Sequence, residues 1–220
     1  MREIFIAASI LSADFKKLKD EIINLKNEGV DYLHFDVMDG HFVNNISFGS
    51  YVLECIKDST KLIKDVHLMI TNPEKYYMDF IKAGADLITF HYEAIEKKED
   101  IFLLINKIKE NNVKVGISIK PNTKVNDILE FLPYVDLVLV MSVEPGFGGQ
   151  KFIDTSLNKI RELYEIKNEN KYIFLIEVDG GINDKTSKGV ILNGADILVS
   201  GSYIFKSENR KESILKLKEF

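Results

Sequence analysis

The 220-residue chain has one cysteine, Cys55, no tryptophan, four prolines and only three arginines against 26 lysines. A lone cysteine excludes an intrachain disulfide and fits a reducing compartment. No apolar run approaches the ~20 residues that a membrane-spanning helix needs, so no membrane partner is expected. The 29 basic and 34 acidic side chains are spread along the chain for a net charge of −5. With no basic patch among them, no nucleic-acid partner is expected either. The amino-terminal MREIFIAASIL has no basic leading segment and is too short for a secretory signal, so the expected location is cytoplasmic. What the chain does have is the balance of an ordinary globular protein, 45% hydrophobic and 29% charged. That excludes a disordered chain, a fibre or a coiled coil, and it supplies a sizeable core without staples.

Two periods alternate along the chain. Eight short apolar, β-branched runs stand out: Ile4–Ile10, Tyr32–Val37, Leu62–Met69, Leu87–His91, Val113–Ile119, Val135–Val143, Tyr172–Val178 and Ile197–Ser200. Near-continuous apolar runs suit strands buried on both faces of a parallel sheet. Amphipathic stretches lie between them. Asp14–Glu28 carries Phe15, Leu18, Ile22 and Leu25 as a helical stripe, Asn72-Pro73 opens a second helix, and Asp100–Asn111 and Thr155–Lys167 read the same way. Eight βα units in 220 residues leave about 27 residues each, which predicts an α/β fold of one domain over 1–220, a (β/α)8 TIM barrel. A doubly wound sheet is the rival, and the count of eight favours the barrel. Gly29-Val30-Asp31, Gly84-Ala85-Asp86 and Gly194-Ala195-Asp196 repeat one design, a helix-ending Gly and then an Asp immediately before a strand.

In such a barrel the active site lies at the carboxyl ends of the strands. Side chains alternate along a strand, so His34 and Asp36 share a face, as do His67 and Met69, and Asp179 can converge from the seventh strand. Two His and two Asp make a credible divalent-metal site of nitrogen and oxygen ligands, because buried charges need partners. Asp39 fits a cap of the following turn, and His91 and Glu93 read as strand-end structure rather than ligands. Seven of the 13 glycines also sit at strand ends: Gly40, Gly146, Gly148, Gly149, Gly180, Gly181 and Gly201. Glycine lets backbone N–H groups approach an anion, and the loops after strands seven and eight are the usual phosphate site of this fold. A metal, two carboxylates and a phosphate cradle at one mouth describe isomerisation or epimerisation beside the carbonyl of a phosphorylated sugar.

These residues resemble the ribulose-phosphate 3-epimerase family over essentially the whole chain. The resemblance is carried by Ser9-Ile10-Leu11, by His34 to Gly40 (HFDVMDG) and by Asp65 to Met69 (DVHLM). Met141 to Gln150 (MSVEPGFGGQ), Val178 to Ile182 (VDGGI) and Val199 to Ser202 (VSGS) complete it. It implies interconversion of D-ribulose 5-phosphate and D-xylulose 5-phosphate in the pentose phosphate pathway. It implies one divalent ion, zinc first, with iron, manganese or cobalt as alternatives, on His34, Asp36, His67 and Asp179. Asp36 would be the general base and Asp179 the general acid, exchanging roles in the reverse direction. Ser9, His67 and Asp179 would contact the substrate, and Gly146, Phe147, Gly148, Gly149, Gly180, Gly181, Gly201 and Ser202 would hold its phosphate end. Met38, Met69 and Met141 would crowd the reacting enediolate. One departure is visible: Asn44 stands where the family usually has Pro, a change that could loosen the loop after strand two but removes no chemical group.

Two neighbouring readings stay open. A 3-epimerase for a six-carbon ketose phosphate of the allulose 6-phosphate type could use the same groups, and a non-catalytic sugar-phosphate-binding barrel could use the glycines alone. A metal-independent isomerase would not need the clustered His and Asp. A decarboxylase barrel would want a lysine beside its aspartates, where this chain has Phe35. A barrel of this size commonly self-associates, so a homo-oligomer is expected.

Overall fold

The computed structural model describes residues 2–219; Met1 and Phe220, the outermost positions of the expected single unit, lie outside them. Among the described residues eight strands form a closed barrel. They are β1 (Phe5–Ser9), β2 (Tyr32–Met38), β3 (Ile63–Met69), β4 (Leu87–His91), β5 (Lys114–Ile119), β6 (Leu137–Met141), β7 (Leu175–Asp179) and β8 (Ile197–Ser200). Each pairs in parallel with its neighbour in sequence order, and β8 returns to pair with β1. Every strand falls within one residue of an apolar run read from the sequence. The longest runs overshoot: Val135 and Val143 lie in buried connecting segments, where apolar character does not mark the strand's end, and Tyr172 lies before β7 half-buried, next to the exposed Ile173.

The helices are α1 (Leu18–Ile23), α2 (Leu25–Glu28), α3 (Ser50–Ile56), α4 (Pro73–Ala83), α5 (Lys98–Lys109), α6 (Ser156–Glu169), α7 (Ser187–Leu192), α8 (Ser202–Phe205) and α9 (Arg210–Leu217). The single helix expected over Asp14–Glu28 is instead a 3-10 turn, Phe15–Lys17, followed by α1 and α2 with a break at Asn24. The Asn24 carbonyl accepts from both Asn27 and Glu28, a shared bond that ends one helix as the next begins. Leu18, Ile22 and Leu25 keep their buried stripe across the break, while Phe15 turns out to pack on Phe48 with ring centroids 5.4 Å apart. Between β5 and β6 the connection is a 3-10 helix, Val125–Tyr134, with Pro133 inside it. No helix among the described residues is long and apolar enough to cross a membrane.

The apolar core has two layers. Alternate strand residues such as Ile6, Phe35, Leu68, Phe90 and Val138 face the surrounding helices, and Ala7, Tyr32, Leu87, Leu139 and Val199 fill the barrel interior. This double burial is why the strands read as unbroken apolar runs. Glu177, His34, Asp65, His67, Thr89, His91 and Ser118 are the exceptions, fully buried polar groups on the interior face.

The Gly-x-Asp repeat proves to be a four-fold clamp at the amino-terminal end of the barrel. The carboxylates of Asp31, Asp86, Asp136 and Asp196, each one residue before an even-numbered strand, accept the backbone N–H of Ile6, Lys64, Val115 and Ile176 on the preceding odd strand at 2.8–3.0 Å. Each also meets a lysine: Lys218, Lys64, Lys109 and Lys167 respectively. Gly29, Gly84 and Gly194 have φ of +103°, +101° and +123°, the left-handed conformation that lets the helix stop just before the clamp. The Asp136 clamp lacks this glycine, because a 3-10 helix precedes it.

Asp196 is buried, whereas the Asp86 side chain is about half exposed at 47%. Asp196→Ala strands a buried N–H and the Lys167 charge, so it is expected to cost about 2–3 kcal/mol. At this chain length that is a fall in Tm of about 5–10 °C. Asp86→Ala is expected to cost about 1 kcal/mol or less, since water replaces the lost acceptor. Chemical and thermal unfolding of the two variants checks the contrast.

Candidate active site

The interior-facing residues at the carboxyl ends of β2, β3 and β7 meet above the apolar plug. His34 and Asp36 on β2, His67 on β3 and Asp179 on β7 each bring one nitrogen or oxygen into a group whose atoms lie within 4.8 Å of one another. The alternation of side chains along β2 and the β2–β3 register, with Asp36 beside His67, produce this convergence. Asp36 Oδ1 stands 3.3 Å from both His34 Nε2 and His67 Nδ1, and its Oδ2 accepts from the Ser9 hydroxyl at 2.6 Å. His34 is fixed from behind by Asp65, whose carboxylate lies 2.5 Å from Nδ1.

That contact leaves His34 Nε2 buried, aimed at the carboxylates and without a hydrogen-bond partner. An unpartnered imidazole nitrogen facing two carboxylates and a second imidazole fits a divalent cation, which takes a mixed nitrogen and oxygen set of this kind once the proton that Asp65 and Asp36 favour on His34 is displaced. The acid-base environment separates the two aspartates. Burial favours neutral Asp36, but the His34 and His67 nitrogens overcome it and hold the carboxyl well below the usual carboxylate range. Burial, and then the facing Asp36, push the Asp179 carboxyl up to about 7. Beneath this group Glu177 and Asp65 form a second cluster with His34, in which burial and then Asp65 raise Glu177 well above its ordinary value.

The three glycine-bearing loops meet beside the His and Asp group and line one cavity of about 360 Å³. Gly146, Phe147, Gly148 and Gly149 come from the loop after β6, Gly180 and Gly181 from that after β7, and Gly201 and Ser202 from the start of α8. A Cβ on Gly201 would sit 2.7 Å from Ser12 Oγ, so glycine there permits the close approach of the β8 and β1 loops. Ser9, Asp36 and Asp179 border the same cavity, and Met38, Met69 and Met141 wall its apolar side. His34 and His67 are fully buried and do not line it.

Asn44 is exposed, and the loop around it is tied by its neighbours: Asn45 Nδ2 donates to the Gly146 carbonyl at 2.7 Å, and Gly40 N–H donates to the Asn45 carbonyl at 2.9 Å. Asp39 caps the turn after β2 as expected, accepting from the N–H groups of His41 and Phe42 and from Thr71.

Two features escaped the sequence reading. Lys206 and Tyr203 line the cavity from α8 and just beyond it; the spacing of Lys206 from Ser202, four residues on a helix, was the available signal. His91 and Glu93 stay outside the four converging groups but are bonded to them, with His91 Nε2 2.9 Å from His67 Nε2 and His91 Nδ1 3.1 Å from Glu93 Oε2. Burial takes His91 down to about 4; against burial, the His91 ring, the Thr123 hydroxyl and the Lys120 N–H hold Glu93 down to about 2.

Comparison with known proteins agrees with this geometry. A family model described as the ribulose-phosphate 3 epimerase family matches residues 5–205. The chain is 46% identical to a ribulose-phosphate 3-epimerase of Treponema pallidum, across 95% of this chain and 94% of that protein. It is 45% identical to one of Bacillus subtilis across 98% of both. A chloroplastic ribulose-5-phosphate-3-epimerase of Arabidopsis thaliana is 42% identical, across 98% of this chain and 76% of that one. Among solved structures, a 3-keto-L-gulonate-6-phosphate decarboxylase from Vibrio cholerae superposes with TM-score 0.72 at 14% identity, covering 99% of this chain and 96% of that one. A 3-hexulose-6-phosphate synthase from Salmonella typhimurium does so with TM-score 0.69 at 17%, covering 97% and 96%. At these identities the two structures speak for the shared barrel alone. The sequence relatives go further, and the chain belongs to the ribulose-phosphate 3-epimerase family.

Proposed function

We propose that this chain is a metal-dependent epimerase interconverting D-ribulose 5-phosphate and D-xylulose 5-phosphate within the pentose phosphate pathway. The observation that carries the reading is the unpartnered, buried His34 Nε2 facing Asp36, His67 and Asp179 beside a glycine-lined cavity. His34 Nε2, His67 Nδ1 and the two carboxylates are the groups that would hold the ion, zinc first, with iron, manganese or cobalt as alternatives. When bound, the ion supplies Lewis-acid stabilisation of the negative charge that develops on the substrate oxygens.

The chain's own groups then divide the work. Asp36, kept ionised by its histidine neighbours and oriented by the Ser9 hydroxyl, takes the C3 proton. Asp179, the more basic carboxyl, delivers a proton to the opposite face of the resulting enediolate. Environments that push two carboxyls apart are those that assign acid and base. The backbone of the three loops holds the phosphate end, with Lys206 as the cation at the rim, and Met38, Met69 and Met141 keep water from the enediolate. Phe35 is fully buried on the helix side of β2, so that position offers no lysine to the mouth as a decarboxylase would need. One catalytic unit over 1–220, self-association and a cytoplasmic setting complete the proposal; barrel size and the lone cysteine support them.

Asp36→Asn and Asp179→Asn are each expected to lower epimerisation by at least ~10²-fold. Metal content is measured in both variants, since each residue is also a proposed ligand. In D2O the unmodified protein is expected to place solvent deuterium at C3 of essentially every product molecule. Full retention of the substrate's own C3 hydrogen would show one group carrying the proton across and would end the two-carboxylate assignment.

Metal uptake should follow the protonation of Asp179. With its carboxyl near 7, the acid form predominates below that pH and an incoming ion must displace the proton. Against burial, Asp65 and then Asp36 also raise His34 well above its ordinary value, so affinity for Co2+ is expected to fall by at least about tenfold per unit as pH drops from about 7 to about 5.5 and to keep rising above 7 until His34 gives up its proton. Titration calorimetry across that range checks the sign. Gly201→Val, which drives a side chain into Ser12, is expected to raise KM for the phosphorylated sugar more than it lowers kcat.

A further inference from the structure

His91 ends β4, and Glu93 lies two residues on in the 3-10 turn Tyr92–Ala94. A continuous line of polar contacts runs from the converging ligand atoms to this pair. Asp36 Oδ1 is 3.3 Å from His67 Nδ1, His67 Nε2 is 2.9 Å from His91 Nε2, and His91 Nδ1 is 3.1 Å from Glu93 Oε2. The other carboxylate oxygen of Glu93 accepts from the Lys120 N–H at 2.7 Å and from the Thr123 hydroxyl. Lys159 Nζ in turn donates to the carbonyls of Lys120 and Pro121 at 2.9 and 2.6 Å, pinning the segment that supplies those donors. The rings are packed in place at tilted angles: His67 and His91 have centroids 5.0 Å apart, His91 and Phe42 4.8 Å, and Lys120 Nζ lies 3.8 Å from the centre of Phe42.

Counting hydrogens along this line decides each ring's tautomer. A carboxylate only accepts, so the hydrogen between Glu93 and His91 sits on His91 Nδ1. A neutral His91 then presents a bare Nε2. The short contact between the two Nε2 atoms needs one hydrogen, and it must come from His67. Neutral His67 with its hydrogen on Nε2 has its lone pair on Nδ1, so the 3.3 Å contact with Asp36 holds no hydrogen and is instead two electron-pair donors side by side, as a cation between them would require. We propose that Glu93, acting through His91, is a positioning residue that fixes the tautomer of His67 and so makes Nδ1 a competent metal-ligating atom. The inference rests on the metal site proposed above and extends it by two residues. His34 is held from behind by the Asp65 carboxylate itself. His67 has an imidazole in that place, and only Glu93 gives that imidazole a direction.

The test is Glu93→Gln, which keeps size and shape. The Lys120 N–H still requires an acceptor, so the amide oxygen takes that side and the amide NH2 faces His91 Nδ1. His91 must then carry its hydrogen on Nε2, His67 Nε2 must accept it, and the His67 hydrogen moves to Nδ1, where the metal would bind. Long-range 1H–15N spectra of metal-free, histidine-labelled protein are expected to show His67 as the Nε2–H tautomer in the unmodified chain and as Nδ1–H in E93Q. Co2+ affinity is expected to fall by at least about tenfold in E93Q, the usual size of an outer-partner effect, with the Tm of the metal-free protein unchanged. If E93Q does not fold, a pair at the next position asks the same question. His91→Phe removes the acceptor for His67 Nε2–H and should lose Co2+ affinity, whereas His91→Gln offers a carbonyl and should restore it. An E93Q protein that keeps the Nε2–H tautomer of His67, or equal Co2+ affinity in His91→Phe and His91→Gln, overturns the proposal. An unmodified protein that takes up no Co2+ overturns the metal site instead, and the nitrogen spectra still decide the tautomer.

Discussion

The structure depends on burying ionisable groups inside a closed apolar barrel. His34, Asp65, His67, His91 and Glu177 have no exposed surface. An unpaired charge in such a place is costly enough that it either finds a partner or gives up its charge. The barrel meets this cost by arranging the groups in contact: Asp65 against His34, His34 and His67 against Asp36, His91 against Glu93. What remains unsatisfied is confined to a few atoms, among them His34 Nε2 and both oxygens of Glu177. A buried polar network is stiff when it is complete, and this one lacks a partner at the place where a cation would sit.

The two halves of the barrel interior carry different obligations. Below, Tyr32, Leu87, Leu137 and Ile197 fill the space with apolar side chains, and the aspartate clamps tie neighbouring strands through backbone N–H groups. Above, the strand ends carry the titratable groups and the loops carry the glycines. The clamps thus lie at one end and the proposed catalytic groups at the other, the division expected where loops can vary without disturbing the strands that hold them.

Much of this was legible from spacing alone. An interval of two residues placed His34 with Asp36 and His67 with Met69, because strand alternation is rigid and β2 pairs with β3 in simple register. Gly-x-Asp before a strand marked three of the four clamps. The fourth, Asp136, was hidden because Pro133 and a 3-10 helix replace the glycine-capped helix before it. His91 and Glu93 were legible as residues but not as partners of His67. Their role depends on which ring nitrogen faces which neighbour across two strands, and periodicity does not encode ring orientation. The break at Asn24 was missed for a related reason: the apolar stripe keeps its phase through it, so the sequence pattern is the same with or without an interrupted helix.

The clamps have a consequence for assembly. Each joins an odd strand to the even strand after it, so the barrel is four two-stranded blocks, β1–β2, β3–β4, β5–β6 and β7–β8, meeting at seams that no aspartate clamp crosses. His34 and Asp36 belong to the first block, His67 to the second and Asp179 to the fourth. No block owns a complete set of donors, and the seam between β8 and β1 must shut before Asp179 can face Asp36. A cation affinity resting on these four residues would therefore be a property of the closed ring rather than of any segment, and its appearance during refolding would time the moment of closure.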